Sequence, residues 1–207
     1  KVTHGEQQLV FIQGPSGSGK SALVHELKQQ VVLARGYFVE SKFDQLQQQQ
    51  VVDIMLQPLR HLLKQVYFEG EQTIRQMQKA LQRVDLMITE GFLKLLPELK
   101  FILSKGTVIM AEDADHTLQQ QVYVFSSIQK ILRAFANESR PIIWFVDDLQ
   151  WADQNSLDMI ERLYEQHENG YFLLVTTARD EEKNAIENLI DWQRTFPYFN
   201  MVKLQLL

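Results

Sequence analysis

Leu9-Val10-Phe11-Ile12-Gln13-Gly14-Pro15-Ser16-Gly17-Ser18-Gly19-Lys20-Ser21 is the stretch whose reading decides the fold. Its first four residues form an uninterrupted apolar run, the pattern of a strand buried on both faces. From Gly14 onward the residues fit G-x-x-x-x-G-K-[ST] in full. Beyond it Leu23, Val24, Leu27 and Val31 recur at helical spacing, so a helix is predicted from about Lys20. Tyr37-Phe38-Val39 follows Gly36 as a second strand. Strand, glycine-rich turn, helix, strand is a βαβ opening, the start of a parallel sheet.

Each residue type in the turn has a physical reason. Glycines let the backbone curl so that successive N–H groups face one anion. The helix that follows directs its free amides and partial positive charge at the same place. Lys20 is suited to the β- and γ-phosphates of a nucleoside triphosphate, and the Ser21 hydroxyl to Mg²⁺. The candidate nucleotide-binding set is Gly14, Pro15, Ser16, Gly17, Ser18, Gly19, Lys20, Ser21 and Ala22. A chance match in a chain this long is on the order of one in a hundred. A glycine-serine linker would not sit between a buried strand and an amphipathic helix.

Working outward, apolar runs at Ile142–Val146, Tyr171–Val175 and Met201–Leu207 add three further strands. Helices are predicted at about Leu118–Ala136, around Leu157, Ile160, Leu163 and Tyr164, and at about Lys183–Arg194. Between Gln45 and Leu99 the pattern is helical and glutamine-rich, with stripes Leu56, Leu59, Leu62, Leu63 and Met77, Leu81, Val84, Ile88. Gln47–Gln50 reads as a solvated loop or helix end. Ser104–His116 reads as a loose loop whose Glu112, Asp113 and Asp115 are exposed rather than metal-binding. The expected fold is a three-layer α/β P-loop NTPase with a five-stranded parallel sheet. It occupies residues 1–207 as one domain, with a helical insertion at about 45–136.

The strand Ile142–Val146 ends in Asp147-Asp148 and so delivers two carboxylates to the sheet edge where open α/β folds bind ligands. Asp147 is suited to hold Mg²⁺ through water, and Asp148 to orient or deprotonate an attacking water. The competing reading is a helix-capping pair, since Asp153 and Asn155 lie close by. Arg179 follows the strand Tyr171–Val175, where it could contact a γ-phosphate, with Thr176 or Thr177 bonding beside it. The competing reading is a surface arginine paired with Asp180 or Glu181.

Composition narrows the classes. The 207 residues are 45% hydrophobic with a net charge of −5, which offers no bulk basic character for nucleic acid. There is no cysteine, so disulfides, thiolate zinc sites and thiol nucleophiles are excluded, as suits a reducing compartment. The expected location is the cytoplasm, with nuclear or organellar settings left open. No apolar run approaches the roughly 18 residues of a membrane span, and the five histidines lack ligand spacing.

These elements together resemble the STAND branch of the AAA-related ATPases, within the ASCE class. The resemblance is to the group described as Orc1-like or AAA-16 domains, found in LuxR-type regulators and kinase-linked signalling proteins. It is carried by the P-loop, by Gly36-Tyr37-Phe38-Val39-Glu40-Ser41-Lys42-Phe43-Asp44-Gln45, and by Trp144-Phe145-Val146-Asp147-Asp148-Leu149-Gln150-Trp151-Ala152-Asp153. Leu174-Val175-Thr176-Thr177-Ala178-Arg179 completes it. It implies a Mg-dependent ATP/ADP switch within a larger multidomain protein, reset by hydrolysis, with Asp147, Asp148 and Arg179 as Walker B pair and strand-end arginine. It also admits ATP-dependent self-association, and it leaves partners to other domains of the same protein.

Two departures bear on activity. Only about eight residues precede Leu9, and the chain stops just after its last strand, so the C-terminal lid and further domains are expected to lie outside it. Weak binding and slow hydrolysis are therefore expected. Asp148 in place of a glutamate points the same way, because its carboxylate is set back by a methylene and errors of about 1 Å can cost on the order of a hundredfold. A non-hydrolytic binding module remains the alternative. A small-molecule or nucleotide kinase fits less well, because no basic cluster for an acceptor lies between Gln45 and Leu99.

Overall fold

The computed structural model describes residues 8–44, 51–104, 107, 109–110, 117–165, 170–180 and 199–206. Five strands form one parallel sheet: β1 (Gln8–Gln13), β2 (Tyr37–Lys42), β5 (Ile142–Asp147), β6 (Phe172–Ala178) and β7 (Phe199–Lys203), in the order β2-β5-β6-β1-β7. Between β1 and β2 runs α1 (Lys20–Leu33).

The apolar runs are continuous because both sheet faces are covered. Alternate residues divide cleanly between two cores. Leu9, Phe11, Tyr37, Val39, Ile142, Trp144, Val146, Phe172 and Leu174 face the larger one. Ile12, Phe38, Ile143, Phe145 and Val175 face the smaller, where Val24 and Val31 of α1 join them. This is the period-two geometry of a strand applied to a sheet with two buried sides. The indole of Trp144 reaches a partner inside the core, donating from Nε1 to Ser41 Oγ at 2.9 Å.

The larger core is roofed by α2 (Val51–Phe68), α3 (Glu71–Leu81), α5 (Thr117–Phe135) and α6 (Gln154–Glu165). Leu56, Leu59, Leu62 and Leu63 are all buried, as their stripe predicts, and so are Phe125, Ile128, Leu132 and Phe135 on α5.

Three expectations need correction. The stripe Met77, Leu81, Val84, Ile88 is not one helix: α3 ends at Leu81, and Ile88–Thr89 is a short strand, β3. Thr89, with extended backbone, accepts from Phe92 N–H at 3.2 Å and so starts α4 (Glu90–Leu95), a cap that breaks the helical spacing. A 3-10 turn, Pro97–Phe101, follows. Secondly, the stretch Ser104–His116 is not wholly loop. Its Ile109–Met110 is β4, parallel to β3 with Ile88 opposite Ile109. Thirdly, Leu23 of the α1 stripe is exposed, because only the Val24 and Val31 side of that helix meets the sheet.

Gln45–Gln50, the acidic residues Glu112, Asp113 and Asp115, and the helix expected at Lys183–Arg194 lie outside the described residues. Among the described residues, no helix is long and apolar enough to cross a membrane.

Candidate functional site

A parallel sheet sends every strand's C-terminal end to one edge. Gln13 of β1 pairs with Ala178 of β6, and Val146 of β5 with Thr176, so three chain segments emerge side by side. Gly14 to Gly19 leave β1 there and turn into α1.

The turn is shaped by what glycine lacks. Gly14 is buried, and a Cβ on it would stand 2.7 Å from Ser18 Oγ and 2.8 Å from Leu204 O. Gly19 has φ 86°, a left-handed backbone that costs other residues about 1–2 kcal/mol. The first α-helical bond of α1 runs from Leu23 N–H to Gly19 O at 3.0 Å. The amides of Lys20, Ser21 and Ala22 therefore precede the intrahelical ladder. Gly19 offers no side-chain cap, and no acidic residue sits in the first turn of α1.

Lys20 folds back over the turn. Its Nζ donates to Gly14 O at 2.7 Å and Pro15 O at 2.8 Å. An ammonium has three donors, so one remains for an external acceptor. Ser18 Oγ is buried with no hydrogen-bond partner. Open amides, a spare ammonium donor and an orphaned hydroxyl share the chemistry of a polyphosphate cradle.

The carboxylates are held by several elements. Asp147 Oδ1 accepts from Thr177 Oγ1 at 2.5 Å and from Asp148 N–H at 3.1 Å. Asp148 takes a left-handed backbone, φ 57° and ψ 45°, an option open to aspartate. That turns its N–H back to Asp147 and also to Thr177 Oγ1 at 3.3 Å. Its Oδ1 accepts from Gln150 Nε2 at 2.9 Å, and its Oδ2 lies 3.0 Å from Lys42 Nζ. Burial alone would raise the Asp148 pKa. The Gln150 bond, the Lys42 ammonium and the charge of Arg179 outweigh it and hold the carboxyl below its ordinary value. The bond to Asp148 raises the Lys42 pKa in return, against its modest desolvation and with further help from the charges of Asp148 and Asp147.

The capping alternative is answered by Asp153. Its Oδ1 accepts from Ser156 N–H at 2.7 Å at the start of α6, while the side chain of Asp148 makes no capping bond to the 3-10 turn Leu149–Trp151.

A profile described as the AAA ATPase domain matches residues 1–175. The chain belongs to the AAA ATPase domain family.

This AAA ATPase domain is 25% identical over 171 residues to hybrid signal transduction histidine kinase G of Dictyostelium discoideum, covering 81% of the chain and 5% of that protein. It is 24% identical over 164 residues to histidine protein kinase 1 of Candida albicans, covering 72% of the chain and 6% of that protein. The chain thus spans a small part of the length of these curated relatives. Among solved structures, Drosophila ORC bound to DNA aligns with all of the chain and 40% of its own, at 14% identity and TM-score 0.47. The Walker-type ATPase of Pyrococcus abyssi aligns over 96% of the chain and 49% of its own, at 14% identity and TM-score 0.46.

Two residues of the AAA ATPase domain had no role read from sequence. Lys42 closes β2 opposite Asp147 in the sheet register. Gln150 bridges two strand ends, donating to Asp148 while its Oε1 accepts from Arg179 N–H at 3.3 Å. Lys42 lies three residues past the strand expected at Tyr37–Val39 and ends it only in the structure, and sequence does not say that β2 neighbours β5. Thr177, read as one of two threonines that could bond near a phosphate, instead spends its hydroxyl on Asp147, and Thr176 Oγ1 is buried without a partner.

Proposed function

We propose that the chain is an ATP-binding signalling switch domain within a larger multidomain protein. Gly14 to Ala22 embrace the triphosphate with backbone amides, and Lys20 gives its third N–H to a phosphate oxygen. The donor set suits magnesium, with a hydroxyl at Ser21 and a carboxylate at Asp147, both oxygen donors, and no cysteine in the chain to offer a thiolate. When bound, Mg²⁺ would draw charge from the β- and γ-phosphates. Asp148 orients water, and Arg179 meets the γ-phosphate past the end of β6 and reports its presence. Other domains of the same protein read the ATP and ADP states, and ATP-loaded copies can self-associate.

The observation that carries this reading is the Lys20 ammonium, folded onto Gly14 O and Pro15 O with one donor to spare. It is tested by thermal-shift titration with Mg-ATP, Mg-ADP and Mg-GTP, alongside Lys20→Ala. A ligand that binds only the folded state stabilises it by about 2.7 kcal/mol at a hundred times its dissociation constant. Adenine nucleotides should raise the melting temperature of the wild type and leave the variant unmoved. No rise with any nucleotide would remove the reading.

One observation favours a second reading, a module that binds nucleotide without hydrolysing it. Both oxygens of Asp148 are engaged by the protein, one by Gln150 and one by Lys42. Asp148→Asn separates the two. A hydrolytic switch loses most of its turnover while keeping nucleotide affinity, whereas a binding module has no turnover to lose.

A further inference from the structure

Four carboxylate oxygens stand at the end of β5, and they divide into two kinds. Asp147 Oδ1 is taken by Thr177 Oγ1 and the Asp148 amide, and Asp148 Oδ1 by Gln150 Nε2. The other two, Asp147 Oδ2 and Asp148 Oδ2, both face one group: Lys42 Nζ lies 3.6 Å from the first and 3.0 Å from the second. These two oxygens meet no other group of the protein among the described contacts, and they already face a cation supplied by the chain.

That ammonium is placed by backbone and left free by its surroundings. Lys42 is the last residue of β2 and pairs in register with Asp147, so its Cα is fixed by the sheet. Its side chain is 63% exposed, against 22% for Asp147 and 19% for Asp148. An ion pair with one long, solvated partner is weak and easily exchanged. Without it, two adjacent, largely buried carboxylates would repel each other with only the charge of Arg179 left to offset that of Asp148.

We infer that Lys42 is a built-in counter-cation that occupies Asp147 Oδ2, the oxygen a metal would use, and Asp148 Oδ2 beside it, so that a divalent cation enters only together with a polyphosphate. This rests on the proposed reading of the P-loop and the carboxylate pair. A hydrated Mg²⁺ gives up water reluctantly and is held by few protein carboxylates plus substrate phosphates. Alone, it must displace the ammonium for the carboxylate of Asp147. Alongside a triphosphate cradled by Gly14 to Ala22, it gains phosphate oxygens as well, and Lys42 swings out into solvent. Lys42 thereby makes metal loading conditional on nucleotide, and the empty domain neither scavenges free cations nor carries an unbalanced acidic pair.

The test uses the whole chain without nucleotide and Mn²⁺ as probe, since Mn²⁺ shares the oxygen preference of Mg²⁺ and its free ion is read by electron paramagnetic resonance. Lys42→Met should bind Mn²⁺ roughly tenfold or more tighter than the wild type, because a like charge within about 4 Å of the site is gone. Lys42→Arg should stay at the wild-type level. Lys42→Met combined with Asp147→Asn should lose the gain, which locates the ion. Circular dichroism confirms that each variant is folded, and Lys42→Gln serves if the methionine variant is not. Equal Mn²⁺ affinity for wild type and Lys42→Met, an equal gain from Lys42→Arg, or a gain that survives Asp147→Asn overturns the inference. ATP titration of wild type and Lys20→Ala in EDTA reads the underlying P-loop proposal separately. Its failure leaves the Mn²⁺ comparison intact as a measurement of Lys42 alone.

Discussion

Replacing Gly14 with alanine is the sharpest perturbation of the loop, because the obstacle is space alone. Gly14 does not have a positive φ, so alanine meets no backbone penalty there. Its methyl would stand 2.7 Å from Ser18 Oγ, 2.8 Å from Leu204 O and 3.1 Å from Leu204 Cβ. The serine hydroxyl can rotate away. Leu204 O cannot, since it belongs to the backbone just past β7, and Leu204 N–H is tied to Gln13 O at 2.7 Å. Overpacking of this kind costs about 1–3 kcal/mol. For a chain of this length that lowers the melting temperature by roughly 2–12 °C. Thermal unfolding followed by circular dichroism measures the loss, and hydrogen exchange at the Leu204 amide locates it. Gly17→Ala is the control: nothing lies within 4 Å of its Cβ position, so only its φ of 80° is strained. That variant should leave Leu204 exchange unchanged. Adding Ser18→Ala to Gly14→Ala should recover only part of the loss. If Gly14→Ala melts and exchanges at Leu204 as the wild type does, the contact between loop and β7 is not what requires glycine.

Neighbouring threonines on β6 should respond in opposite directions. Thr176→Val removes a buried hydroxyl without a partner and should stabilise by about 1 kcal/mol, whereas Thr177→Val strips hydrogen bonds from Asp147 and the Asp148 amide and should cost about 1–3 kcal/mol, both read by urea denaturation. Ser41→Ala leaves the Trp144 indole N–H unpaired in the core and should cost about 1–3 kcal/mol, with a shift in tryptophan emission. Burial, aided by the charge of Glu69 and opposed by Arg140, pushes the Tyr37 phenol up to about 12. Its raised folded pKa means stability present below the unfolded value near 10 and lost as pH rises through about 12, roughly 2–3 kcal/mol in all. One tyrosine should therefore stay silent at 295 nm until the upper end of that window, and Tyr37→Phe should flatten the alkaline loss.

The strand–loop–helix opening was legible because its information is local. A continuous apolar run, glycines and following apolar residues at helical spacing lie within a few turns of chain, and β1, the P-loop and α1 stand where those residues require, with Val24 and Val31 rather than the whole stripe buried. The central strands β1, β5 and β6 were equally readable, since a sheet covered on both faces needs apolar residues at every position. The edge strand β7, expected at Met201–Leu207, instead runs Phe199–Lys203 with Asn200 and Lys203 exposed. Local reading failed where one residue interrupts a period. Val84 and Ile88 continue the spacing of α3, but Thr89 caps the next helix and Ile88 pairs with Ile109 some twenty residues on.

Sequence by itself determined which residues carry charge and hydroxyl groups at the ends of β1, β5 and β6, because each follows its own strand directly. Only the tertiary structure decided how those groups divide their oxygens and protons. That Lys42 faces both aspartates depends on β2 lying next to β5, whose paired residues are 105 positions on in the chain (Lys42 opposite Asp147). That Gln150 joins Asp148 to the Arg179 amide, and that Leu204 closes over Gly14, depend likewise on strands set side by side. Strand order is a matter of packing between distant segments, and no spacing along the chain encodes it.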